Sequence, residues 1–252
     1  MYKRLLIVNI SNYYHLKKGK LNFQYLAKNS FSKNAFRMEN KIIDEKDATS
    51  NKYLLENYKG LVFDCDGTLV NSMEYFFKGW EMLCKKHELT FSKDRFYSLA
   101  GTLVRRIVEI ILEDNSRPVD DPWIDSFLSE KREFHKSRRA EGDFPTEITC
   151  VTKIVKDLHG KIPMAVASSG AKIFVTEDLK QHDLIKYFDA IVTVEDVKNG
   201  KPAPDLFLEA CKRIQIDPKH CLGYEDANIG IQSLHAAEMH AVNVTKFTEY
   251  PC

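Results

Sequence analysis

The segment Gly60-Leu61-Val62-Phe63 carries no polar side chain, and Asp64-Cys65-Asp66-Gly67-Thr68 follows it at once. A short, continuous apolar run reads as a strand buried on both faces, the kind found in parallel sheets. Comparable runs recur at 163–168, 188–194, 220–224 and 241–244, and helical patterns lie between them at 146–158, 171–182, 204–214 and 227–237. Strand alternating with helix predicts a parallel sheet covered on both faces, and right-handed crossovers make it a doubly wound, Rossmann-like α/β core. One interval breaks the rhythm. Residues 71–145 hold no convincing strand; instead Phe76, Phe77, Trp80, Leu83 and Cys84 recur at helical spacing, as do Val104, Ile107, Val108 and Ile111, then Trp123, Ile124, Phe127 and Leu128. These stripes predict the packed interior of an inserted α-helical cap, placed over the carboxyl edge of the sheet where open α/β sheets bind ligands. The expected division is leader and linker over 1–56, core over 57–72 and 146–252, and cap over 73–145.

The strand ends carry the chemistry. Asp64-x-Asp66-Gly67-Thr68 follows the first strand. Alone it reads equally well as a turn in which Asp and Gly serve geometry. Ser168-Ser169-Gly170 ends the second strand and opens a helix, where hydroxyls and free N–H groups form an anion site. Lys201-Pro202-Ala203-Pro204-Asp205 sets a lysine before a proline-started helix, although a surface lysine in a rigid loop has the same pattern. Tyr224-Glu225-Asp226 ends a fourth strand with adjacent carboxylates. Acids gathered at strand ends repel one another unless a cation is shared, which favours a hard divalent ion such as Mg²⁺. A nucleophile pair, phosphate-binding hydroxyls, a lysine and metal carboxylates, in that order, are hard to read as separate accidents.

With these motifs the chain resembles the haloacid dehalogenase superfamily over roughly residues 57–246. The phrases F-D-C-D-G-T-L-V-N-S, K-P-A-P-D-L-F and Y-E-D-A-N-I-G resemble its β-phosphoglucomutase-like subfamily with a helical cap. Within that subfamily, H-G-K-I-P-M-A-V, Y-F-D-A-I-V and the spacing of G-T-L-V-R-R resemble the fructose-1-phosphate phosphatases. The resemblance implies an Mg²⁺-dependent phosphatase that forms an aspartyl-phosphate on Asp64, with Asp66 as general acid and base. It implies Lys201 as the charge-stabilising cation, Ser168 and Ser169 on the phosphoryl oxygens, and metal ligation by Asp64, the Asp66 carbonyl, Asp226 and Glu225. It also places Gly101, Thr102 and Arg106 where relatives contact the leaving group, although a solvated helix charge explains Arg106 as well. Two departures bear on the reaction. Phe76 and Val104 stand where sugar-phosphate relatives and mutases, respectively, carry histidine and arginine, which shifts weight from mutase to phosphatase. A mutase and a catalytically silent binding protein remain the alternatives.

Charge is unevenly spread. Residues 1–37 hold eight basic and no acidic side chains, so the remainder carries a surplus of seven acidic ones under a net charge of +1. The leader resembles a mitochondrial or plastid transit peptide; a disordered leader, or a natural start at Met38 with a cytoplasmic protein, accounts for it too. Six scattered cysteines suit free thiols in a reducing compartment. No apolar run reaches the length of a membrane span, and nothing organises the basic residues into a nucleic-acid surface. The expected partner is a small phosphorylated metabolite, bound by a monomer.

Overall fold

The computed structural model describes residues 41–99 and 104–252, so the basic leader, Gly101 and Thr102 fall outside the described residues. The described chain begins with β1 (Ile42–Ile43), α1 (Glu45–Ala48) and α2 (Asn51–Asn57), then enters β2 (Gly60–Phe63). Core strands β5 (Met164–Ala167), β6 (Ala190–Val192), β7 (Cys221–Glu225) and β8 (His240–Asn243) follow the cap. They alternate with α7 (Thr149–Leu158), α8 (Lys172–Gln181), α9 (Asp205–Arg213) and α10 (Asn228–Ala236). The sheet runs β1-β8-β7-β2-β5-β6, every pairing parallel.

The apolar run of β2 explains its central place. Leu61 and Phe63 point into one core layer with Leu54, Val151, Val155, Leu158 and Leu179, whereas Val62 points into the opposite layer with Leu206, Phe207, Ala210 and Leu234. All three β2 side chains are sealed from solvent, and burying a large apolar side chain stabilises by about 1.5–3 kcal/mol. The chain winds from β2 outward to β6, then returns to β7 on the other side of β2. That reversal places the switch-point crevice at the carboxyl end of β2.

Beyond β2, β3 (Val70–Asn71) pairs antiparallel with β4 (Thr146–Glu147), so the two chain crossings into the cap form one short ribbon. Between them lie α3 (Ser72–Lys86), α4 (Lys93–Ser98), α5 (Val104–Asp114) and α6 (Asp121–Ala140). Phe77, Trp80, Leu83, Ile107, Val108, Ile111, Ile124 and Phe127 share one buried cluster, which accounts for the helical stripes of this interval. Two buried arginines of α6 hold the cap, Arg138 within it and Arg139 against the core. Arg138 donates to the Tyr75 carbonyl at 2.8 Å and to Asp143 at 2.6 Å, and Arg139 donates to Asp178 of α8 at 3.0 Å.

Two expectations are corrected. The stretch before β2 is not a linker: β1 extends the sheet, and α1 and α2 pack their Ala48 and Leu54 into its core. Ser50 caps α2 by accepting from the Tyr53 N–H, and Asp44 does the same for α1 through Asp47. Only a few apolar residues among many polar ones carry this packing, too sparse a pattern to show a period. Nor are all cysteines free. Cys150 and Cys252 form a disulfide across 102 residues, with Cα atoms 5.8 Å apart, while Cys65, Cys84, Cys211 and Cys221 are buried thiols. Distance along the chain carried no sign of that proximity. Among the described residues no helix is long and apolar enough to cross a membrane.

Candidate active site

Parallel strands deliver their carboxyl ends to one edge, and there Asp64, Ser168, Glu225 and Asp226 meet. The Asp64 N–H donates to the Tyr224 carbonyl at 2.9 Å, which continues the β2–β7 ladder by one residue and fixes the start of the loop. Beyond it the Leu69 and Val70 N–H groups both return to the Cys65 carbonyl, at 2.9 and 3.1 Å, while Gly67 donates to Val70 at 2.8 Å. This tight turn needs a glycine: Gly67 has φ +82°, and a Cβ there would overlap the Asp226 carboxylate. Gly230 of α10 is needed for a similar reason, because a methyl group would strike the Glu225 carboxylate.

Lys201 reaches this edge from the loop ahead of α9. Its ammonium donates to Asp64 Oδ1 at 2.5 Å and to Glu225 Oε2 at 3.4 Å, and all three side chains are nearly sealed from water. Burial opposes its charge, but the carboxylates of Asp64 and Glu225 outweigh burial and hold its pKa above the ordinary lysine value. The acids show the reverse imbalance. Burial pushes Asp64 up against the pull of Lys201, burial and the Asp64 charge raise Glu225 well above its ordinary value, and the same two causes push Asp226 to about 7. One ammonium does not neutralise three carboxylates out of water.

Those acids suit a cation. Asp64, Glu225 and Asp226 each present one oxygen, all within 4.8 Å of one another, and such hard donors fit a divalent ion of the Mg²⁺ or Ca²⁺ type. The Asp66 side chain lies apart from this cluster. Its Oδ2 accepts from Ser168 Oγ at 3.4 Å, and Ser168 Oγ in turn accepts from the Gly170 N–H at 2.9 Å.

Asp66 and Ser169 line a cavity of about 360 Å³ whose far wall comes from the cap: Phe76 of α3 with Lys131, His135 and Arg139 of α6. Lys131 and His135 escaped the sequence reading. Lys131 Nζ lies 4.8 Å above the Trp80 ring, 5.8 Å above Phe76 and 3.2 Å from His135 Nε2. Burial pushes its pKa down to about 8. Burial, then the charges of Lys131, Arg138 and Arg139, pushes His135 down to about 3, so its ring is neutral near pH 7. His135 also packs edge-on against Phe76, with ring centroids 5.6 Å apart, so an imidazole does stand beside the phenyl ring. The i, i+4 spacing of Lys131 and His135 on a helix was the available signal, but the intervening Arg132 and Glu133 made it look like an ordinary solvated face.

Arg106 is the residue that the structure does not bring to this place. It is half-exposed on α5, donates to Glu109 and Glu113 of its own helix at 2.9 Å, and is absent from the cavity wall.

With this geometry in view, the likeness to known proteins is specific. The haloacid dehalogenase-like hydrolase family matches residues 61–244. The chain is 35% identical over 192 residues to fructose-1-phosphate phosphatase of Escherichia coli, a match covering 76% of this chain and 98% of that protein. It is 25% identical over 185 residues to a phosphorylated carbohydrates phosphatase of Thermotoga maritima, covering 73% and 83% respectively. The fold is similar to that of a β-phosphoglucomutase from Clostridium difficile, with a TM-score of 0.61, 23% identity, and coverage of 75% of this chain and 88% of that one. The segments before β2 and after residue 244 lie outside the family match, but everything that builds the carboxyl-edge site lies within it. This chain belongs to the haloacid dehalogenase-like hydrolases.

Proposed function

We propose that this hydrolase is an Mg²⁺-dependent phosphatase for a small sugar phosphate of the fructose 1-phosphate kind, working through an aspartyl-phosphate on Asp64. The observation that carries this reading is the buried Lys201 ammonium shared by Asp64 and Glu225 beside Asp226. Lys201 favours the ionised form of Asp64 against the burial that opposes it, and that carboxylate is the form that attacks phosphorus. Covalent transfer to Asp64 splits one difficult hydrolysis into two easier steps. Asp66, two residues on, protonates the leaving sugar oxygen and then takes a proton from the water that releases phosphate. Ser168 Oγ and the N–H groups around Ser169 hold the phosphoryl oxygens at the start of α8. Bound Mg²⁺ would add the positive charge that lets two anions, carboxylate and phosphate, approach each other.

On the cap side, Lys131 meets hydroxyls or a second anionic group of the leaving sugar, while Phe76 stacks against its apolar face. Phe76 shares the cavity with Asp66 and offers it no hydrogen bond, which supports hydrolysis over the retention and reorientation that a mutase requires. The similarity to the phosphatases of Escherichia coli and Thermotoga maritima supports the same choice.

The test is inorganic phosphate release from a panel of sugar phosphates and phosphoglycolate, with Mg²⁺ and with EDTA. Metal-dependent release, strongest on one ketose or hexose phosphate, is the expected result. Isomerised sugar phosphate without free phosphate would overturn it in favour of a mutase. Silence on both counts would leave the binding-protein alternative.

A further inference from the structure

Residues 247–252 lie outside the family match, yet they close onto the catalytic turn. The Tyr250 hydroxyl donates to the Gly67 carbonyl at 2.8 Å. Gly67 is the residue packed against Asp226, one position after Asp66. The strap that carries Tyr250 is anchored on both sides. Before it, Thr248 donates through its N–H and its hydroxyl to the Glu45 carboxylate of α1, at 3.0 and 2.8 Å, and Phe247 is buried. After it, Cys252 is bonded to Cys150 at the start of α7, and the Cys252 carbonyl accepts from the Thr149 N–H at 3.0 Å. Glu45 also lies outside the family match. Two flanking additions to a common core therefore meet, and what they hold between them is one hydroxyl on the turn that carries the acid/base.

We propose that Tyr250 is a positioning residue for the 64–70 turn and that the Cys150–Cys252 disulfide keeps it in place, which puts the turn under thiol control. The catalytic consequence rests on the phosphatase reading; the mechanical one does not. Reduction by a dithiol passes two electrons into the S–S bond, which breaks to two thiols, each taking one proton from the dithiol as the latter closes to its own disulfide. The strap then keeps its Glu45 anchor, the buried Phe247 and one backbone hydrogen bond, but no covalent tie beyond Tyr250. Tyr250 leaves the Gly67 carbonyl, and the turn gains freedom where the placement of Asp66 matters most.

The experiment compares the oxidised full chain, the chain reduced with dithiothreitol, and the variants Cys252→Ser and Tyr250→Phe. Hydrogen exchange read by mass spectrometry over 64–70 comes first, followed by turnover of p-nitrophenyl phosphate with Mg²⁺. Reduction and both variants should speed exchange in 64–70. They should also lower kcat about fivefold, the factor that one neutral hydrogen bond supports, with KM little changed. Cys252→Ser should no longer respond to dithiothreitol. Unaltered exchange over 64–70 after reduction overturns the proposal whatever the turnover. Faster exchange with equal kcat in all forms removes the catalytic role of Tyr250. Faster exchange in a protein that turns over no phosphate ester in any state leaves the tether standing and brings down the phosphatase reading instead.

Discussion

Lys201 and Asp64 stand 137 residues apart in the chain and form one buried ion pair. Its value lies in what surrounds it, because the same ammonium must also face Glu225. Replacing it in Lys201→Met leaves buried carboxylates with no protein counter-charge. Turnover should fall by about 10²–10³-fold, as when a preorganised transition-state donor is removed, with KM changing less. The variant should also melt below the parent without metal and recover part of that loss in Mg²⁺, read by thermal denaturation. Retained turnover would mean that Lys201 only packs.

Metal removal is the complementary case. Binding an ion to the folded state but not to the unfolded chain stabilises by mass action, by about 2.7 kcal/mol at a hundred times the dissociation constant. Saturating Mg²⁺ should therefore raise the melting temperature of EDTA-treated protein. Asp226→Asn should blunt that rise, because the cluster loses one of its three charged donors. An equal rise in the variant would move the metal away from Asp226.

Lys131 predicts a pH dependence. Its folded pKa of about 8 lies below the ordinary 10.5. Below pH 8 both states carry the charge and the burial penalty is present in full. Between 8 and 10.5 the unfolded chain binds more protons, so this group's contribution to stability rises with pH. The stability difference between Lys131→Met and the parent should accordingly shift in the parent's favour over that window. Substrate binding should move oppositely. The parent's KM for a sugar phosphate should climb above pH 8 as the ammonium is lost, and Lys131→Met should show a KM about tenfold higher near pH 7 with little pH response, given the usual strength of a hydrogen bond from a charged donor. Parallel KM profiles for parent and variant would remove Lys131 from the binding site.

Gly67→Ala probes the turn itself. The substitution places a Cβ at φ +82° and against the Asp226 carboxylate. Turnover should drop about 10²-fold, the scale of a small displacement at the chemistry, and Mg²⁺ affinity by calorimetry should weaken with it. A variant with parental affinity and rate would show that Asp226 can yield.

Much of this arrangement was legible because parallel strands bring their carboxyl ends to one edge regardless of the distance between them in sequence. The apolar runs alone therefore place Asp64, Ser168 and Glu225 at that edge, with helices on both faces of the sheet. The cap was legible as helices but not as a wall. Periodicity shows which face of α5 or α6 is buried, not which helix hangs over Asp66, so Arg106 was weighed where Lys131 and His135 stand. The Cys150–Cys252 bond and the Thr248–Glu45 contact were beyond reach for a similar reason. Each joins residues brought together by the closing of the whole chain, and no local pattern announces such a meeting.

β1 sets a limit on how far the chain can be shortened from its basic end. Ile42 and Ile43 cover the flank of β8, and the Ala241 N–H donates to the Lys41 carbonyl at 3.0 Å. A protease that stopped ahead of Lys41 would spare every one of these bonds. One that cut past Ile43 would turn β8 into a bare sheet edge, open to pairing with a strand from another molecule. The point at which trimming reaches the sheet thus falls within a few residues, and a ladder of trimmed chains assayed for self-association would locate it.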